Sequence, residues 1–164
     1  MNQRSVVTNL RQHHAIEHAT VTLLSQRLPG LQLVARSDLQ GFSVFGPVAT
    51  ADLRAAAEEA LRRLQAGESG LAVHPNCGTN LVTAGVLSGV AAMMASSGRQ
   101  RSFWDRLPGA VLAATVALIA AIPLGRWVQT NLTTSPQVND LCIAAVERLG
   151  DGPVKAHRVV IESR

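Results

Sequence analysis

The sequence has no tyrosine, and only three phenylalanines and two tryptophans. So few aromatics leave no stacking platform of the kind that binds single-stranded nucleic acid. The formal charge of +4 and the pI near 10.4 would suit a polyanion. The basic residues are mostly arginines scattered over expected helix faces and loops, with no basic run interleaved with aromatics, so no nucleic-acid partner is expected. Two cysteines, Cys77 and Cys142, are too few and too far apart for a disulfide framework, and a reduced, cytosol-facing chain is expected. The start, MNQRSVVTNLRQHH, has no apolar core and no small-residue cleavage site, so it does not read as a signal peptide.

Charge is scarce as well, at 16% against 47% apolar residues, a balance that points to a membrane protein. The scarcity is concentrated. No charged residue occurs from Gly78 to Gly98 or from Leu107 to Gly125. Each run is close to the ~20 residues that cross a hydrocarbon core as a helix. The remaining chain is too small to wrap two all-apolar helices inside a soluble globule. The link RQRSFWDR (99–106) carries three arginines with Phe103 and Trp104, a set that resembles interfacial anchors. Gly85 and Gly89 form a GxxxG that Ala84, Ser88 and Ala92 extend, and Ala110, Ala114, Ala117 and Ala121 answer it on the second run. These small faces are expected to pack the runs as a hairpin, and the Gly85/Gly89 face to allow a homo-oligomer.

The charged remainder shows alternating periodicities. Residues 8–28 read as a helix capped by Thr8, with Leu10, Ile16, Leu23 and Leu24 as its apolar stripe and Pro29-Gly30 as its stop. LQLVARS (31–37) and GFSVFG (41–46) read as a hairpin. Thr50 is expected to cap an amphipathic helix with Leu53, Ala57, Leu61 and Leu64 on one side. LAVH (71–74) reads as a short strand. After the apolar runs, Ser135 and Pro136 open an expected helix through QVNDLCIAAVERLG, with Leu141, Ile143, Ala144, Val146 and Leu149 as its core face and Cys142 within that core. VKAHRVVIES (154–163) reads as a last strand able to join the first-half sheet. The fold class is α+β: a small sheet-and-helix domain, α-β-β-α-β then α-β, interrupted by a two-helix transmembrane hairpin. The boundaries fall at 1–77, 78–126 (helices about 79–97 and 107–125) and 127–164.

Three of five histidines fall within HHAIEH, His13 to His18. On a helix His14 and His18 share a face, since residues four apart do. With Glu17 they spell HxxEH, the inverted form of the zincin signature. Two neutral imidazoles can hold Zn²⁺, and a neighbouring carboxylate can take a proton from water that zinc has acidified to a pKa of about 7. The alternative is a solvated polar face that His13 merely decorates. A second concentration, HPNCGTN, places His74 and Cys77 three apart before the first apolar run, and both are good zinc ligands. In an open site His14, His18 and one of Cys77 or His74 bind zinc, and Glu17 is the base. In a closed site all four bind. Glu58, Glu59 and His157 are expected to stay outside it. Gln129, Thr133 and Thr134 return to the side of Cys77 and either line the site or cap a helix.

These motifs resemble those of a bacterial family of small integral membrane proteins of unknown function, labelled as metal-dependent enzymes, or a sister family of it. Its members carry His-Gly-Ala-Glu-His-Lys and His-Pro-Arg-Cys-Gly-Thr before a membrane segment. His14–His18 and His74–Thr79 match these in order and spacing. Trp127-Val128-Gln129, Leu132-Thr133-Thr134 and Ile143-Ala144-Ala145 match a third set. Ala19 stands where the family has lysine, and Asn76 where it has arginine. The resemblance implies a metal and an enzyme. The expected activity is a membrane-anchored zinc-dependent hydrolase of peptides, amides or esters. The alternative is a non-catalytic metal-binding or scaffold protein. The expected partner is the lipid bilayer, and the expected location the bacterial inner membrane. The arginines of the link favour a cytosolic link, but a folded head without an export signal favours a cytosolic head, and the head and tail are placed there.

Overall fold

The fold was analysed in a computed structural model that describes residues 5–75, 77–97, 102–150 and 155–164. The described residues divide into two compact units: a head, made of the residues up to His74 and those from Thr130 onwards, and a hairpin, Pro75–Gln129. The α+β class with two long apolar helices is the one expected.

In the head, α1 (Val6–Arg27) is followed by β1 (Val34–Asp38), β2 (Gly41–Phe45), α2 (Thr50–Gln65), a 3-10 turn (Ser69–Ala72), and, after the hairpin, β3 (Leu141–Arg148) and β4 (Ala156–Ser163). The sheet is antiparallel throughout, in the order β1-β2-β4-β3. β4 therefore pairs with β2, as the last strand was expected to do. α1 packs on β1 and β2, and α2 on β3. The core between them holds Ile16, Leu24, Phe42, Val44, Leu53 and Val159, each fully shielded from solvent. The expected α2 stripe of Leu53, Ala57, Leu61 and Leu64 is buried as read. In α1 the stripe begins at Ile16, because Leu10 is 40% exposed.

Four local expectations are corrected. Ser5, not Thr8, precedes the first turn of α1, and Thr8 lies within the helix. Ala49 occupies the N-cap of α2, while the Thr50 hydroxyl bonds His157 Nε2 at 3.0 Å. LAVH is no strand: Ser69–Ala72 is a 3-10 turn. The expected helix after Pro136 is the strand β3, and Cys142 is half-buried opposite Glu162 rather than in the core. The reason lies in a β-bulge. Ile143 pairs with Ile161 and Ala145 with Val160, so Ala144 is an extra residue. The bulge turns Leu141, Ile143 and Val146 inward, at spacings of two and three, and breaks the alternation that marks a strand.

In the hairpin unit, α3 (Gly78–Ser96) has no buried residue, and α4 (Phe103–Val128) has only Ala121 and Gly125. Both are long and apolar enough to cross a membrane, and helices so exposed are not the core of a soluble fold. They pack through small residues: Ala84, Ser88 and Ala92 of α3 and Ala110, Ala114, Ala117 and Ala121 of α4 are half-buried or buried. Gly85 and Gly89 do not join this contact, since a Cβ at either would meet nothing within 4 Å. Phe103 and Trp104 stand inside the first turn of α4, 69% and 74% exposed, and Asp105 accepts from the Ser102 N–H at 3.2 Å. Gly98 and residues 99–101 of the link, Asn76 of HPNC, and residues 151–154 lie outside the described residues.

Two outcomes follow for the head. Gly41 begins β2 at φ +139°, and a Cβ there would lie 2.1 Å from the Val159 carbonyl oxygen, a clash with backbone that no side-chain rotation relieves. Gly41→Ala is expected to cost more than ~1 kcal/mol, read as a lowered melting temperature. Burial first, then Arg148 and Lys155, holds His157 below its ordinary 6.5. Charging it therefore opposes folding, and the stability it allows is full above pH ~6.5 and falls as the pH drops below that value. The loss of stability between pH 7 and 5 is expected to be smaller in His157→Gln, measured by chemical denaturation at each pH.

Candidate metal centre

Helix α1 is buried along most of its middle, and half of the side chains it buries are polar: Gln12, His13, Glu17, His18 and Thr20. Buried polar groups need partners, and these have them. Gln12 donates to the Gln137 carbonyl. His13 Nδ1 donates to the Asp38 carbonyl at 2.8 Å, at the end of β1, where Arg158 clamps the Asp38 carboxylate with two bonds of 2.6 Å. That clamp holds the Asp38 carboxyl below the usual carboxylate range, and burial lowers His13. The Ser37 hydroxyl donates to Glu17 Oε2. Thr20 Oγ1 donates to the Ile16 carbonyl at 2.7 Å.

The next face of the helix carries His14 and His18. His14 Nδ1 donates to the Thr133 carbonyl at 3.0 Å, and His18 Nδ1 to the Ala72 carbonyl at 2.8 Å. A carbonyl oxygen has no proton to give, so each bond places the ring proton on Nδ1 and the lone pair on Nε2. This is the arrangement by which metal-ligating histidines are held. The two rings lie edge to face with centroids 4.3 Å apart, and their ligand nitrogens are within 4.8 Å of one another. His74, just after the 3-10 turn, brings its ring to 6.0 Å from that of His18. Thr133, whose carbonyl holds His14, has a buried Oγ1 without a hydrogen-bond partner among the described residues. A divalent cation fits here: a ring that donates from Nδ1 presents Nε2 as its ligand atom, and the two rings are pre-oriented and mutually close.

The carbonyl acceptors come from irregular backbone. Ala72 ends the 3-10 turn where a strand was expected. Thr133 closes a π turn, Gln129–Thr133, directly after α4, and π turns leave carbonyls without their usual helical partners. Arg11 satisfies two more in this stretch, donating to the Asn131 and Thr134 carbonyls at 2.9 and 3.0 Å. Sequence reasoning passed over Arg11 and Ser37. Both are ordinary letters there, and only the fold turns them towards α1.

The remaining candidates are placed as follows. Thr133 and Thr134 supply backbone carbonyls, and Thr134 is 1% exposed. His13 faces β1. Glu58 and Glu59 pair on the surface with Arg54 at 3.8 Å and with Arg63 at 3.9 Å. In the hairpin unit, Cys77 is the N-cap of α3 and its Sγ accepts from the Thr79 N–H at 3.4 Å. Gln129 is fully buried and donates to Asn80 Oδ1 at 2.6 Å, while Asn80 Nδ2 donates to the Pro75 carbonyl at 2.7 Å. Gly125 makes room for this network, since a Cβ there would fall 2.5 Å from Asn80 Oδ1.

Residues 9–146 match the model of a family described as a domain of unknown function, DUF6391. The span encloses HHAIEH, HPNC and the π turn. An uncharacterised protein of Picosynechococcus sp. is 38% identical over 144 residues, which cover 79% of this chain and 68% of the relative. No solved structure matches the chain.

Arg11 is the first test of this architecture. Arg11→Met keeps the length and removes the donor to two carbonyls. A loss of about 1–2 kcal/mol in head stability is expected for two hydrogen bonds from a charged donor, one exposed and one part-buried, measured by denaturant unfolding in detergent.

Proposed function

The chain belongs to the DUF6391 family, and we propose that it is a membrane-anchored, zinc-dependent hydrolase acting on a peptide, amide or ester. The observation that carries this reading is the pair His14 and His18, each fixed by an Nδ1–H bond to a backbone carbonyl so that Nε2 is the ligating atom. His74 supplies a third nitrogen from beside His18. Cys77 enters as a further donor on its place in the sequence, three residues after His74. Zinc held by such a set would supply Lewis acidity, which brings the pKa of water to about 7. Glu17, one residue before His18 and 7% exposed, takes the proton that water gives up. Ser37 orients its carboxylate by donating to one oxygen. The buried surroundings of α1 limit competing solvent. The hairpin anchors the head to the inner membrane of a bacterium, with the head on the cytosolic side, and its outward Gly85/Gly89 face is the place for a second copy.

A closed, non-catalytic site is the second reading, favoured by the nearness of the His74 ring to that of His18. X-ray absorption separates the two. An open site gives three protein ligands and one light-atom ligand; four protein ligands including sulfur would give the closed form. Turnover of a 4-nitrophenyl ester by the purified, zinc-loaded protein tests the chemistry. Glu17→Gln is expected to lower kcat by about 10²–10⁴-fold with zinc content unchanged. A wild-type protein without zinc-dependent turnover, or a Glu17→Gln variant as fast as wild type, contradicts the hydrolase.

A further inference from the structure

The hairpin unit contains a groove of about 380 Å³ between α3 and α4, within the ~300–1,000 Å³ typical of small-ligand sites. Ala84 and Ala121 form its floor, and Leu81, Leu118 and Ile122 its walls. The walls face outward: Leu81 is 77% exposed, Leu118 49% and Ile122 60%. The groove exists because the small residues that draw the helices together are flanked by long ones that stand apart. In a bilayer such a depression cannot stay empty, since its lining would forfeit dispersion contacts, and its apolar walls offer water no partners. An acyl chain has the shape and polarity to fill it.

One end of the groove is not apolar. Arg126 lies four residues, one helical turn, beyond Ile122 on the same face, and it lines the groove together with Pro75, Cys77 and Asn80. The Asn80 amide is committed to Pro75 and Gln129, so the polar rim is a fixed structure. Among the described residues, no acidic side chain lines the groove. A cation set at one end of an apolar channel complements an amphiphile with a negative head and a hydrocarbon tail.

We propose that this groove holds one acyl chain of an anionic phospholipid, with Arg126 against its phosphate. The assignment rests on the hairpin alone; Cys77, a donor in the proposed metal set, also lines the groove, and neither substitution used in the test touches it. It is tested on the full chain in nanodiscs of equal phosphatidylglycerol and phosphatidylcholine, released into the gas phase for native mass spectrometry. Wild type is expected to retain one phosphatidylglycerol in preference to phosphatidylcholine. Arg126→Gln should lower that preference about fivefold, the share of one basic residue near a lipid headgroup. Ala84→Leu, which fills the floor, should retain neither lipid. Equal retention of the two lipids by wild type, retention of none, or an unchanged preference in Arg126→Gln overturns the proposal. If Ala84→Leu fails to fold by circular dichroism, the Arg126→Gln comparison still decides.

Discussion

Two hydrogen bonds organise the head: His14 Nδ1 to the Thr133 carbonyl and His18 Nδ1 to the Ala72 carbonyl. They join one turn of α1 to the stretches that, in the sequence, lead into and out of the hairpin. They also set the tautomer of both imidazoles. A ring held in this way is a poor choice for filling a core, because each buried nitrogen must be satisfied. It is a good choice for presenting a lone pair in a fixed direction.

The rest of α1 repeats the pattern. A helix this deeply buried would be most simply made of Leu and Ala, yet from Arg11 to Thr20 it carries seven side chains that bond to backbone carbonyls or to Ser37. Local rules for a stable core are broken together at one place, and such breaks gather where a protein does its chemistry. The irregular backbone around it serves the same end: the 3-10 turn and the π turn bring carbonyls to α1 that a regular strand or helix would have used internally. The hairpin obeys a different constraint, that of a solvent without hydrogen bonds. Its amides form a chain at one end, from Gln129 through Asn80 to the Pro75 carbonyl, and the Thr83 and Thr115 hydroxyls within the helices turn back onto the carbonyls four residues earlier.

Much of this was legible in the letters. The charge-free runs identify α3 and α4, the β1–β2 turn shows in Ser37-Asp38-Leu39-Gln40-Gly41, and the α2 stripe emerges residue for residue. The histidine spacing brings His14 and His18 together because it is a property of any helix. What escaped was set by tertiary contact. β3 read as a helix because one bulged alanine, Ala144, replaces alternation with a helical-looking spacing. The GxxxG was assigned to the hairpin contact, but the neighbouring alanines make it. The acceptors for His13, His14 and His18 are backbone carbonyls, which carry no sequence signature at all. Glu17 was read for its place in HxxEH, and its Ser37 partner comes from a strand twenty residues away.

The metal content of the purified protein tests the central claim most directly. Elemental analysis of the full chain in detergent, paired with a His14→Ala, His18→Ala double variant of unchanged circular dichroism, gives the ratio of metal to protein. One zinc per chain in the wild type, lost in the double variant, is the expected result. A well-folded wild type without stoichiometric metal, or a double variant that keeps it, would contradict the claim.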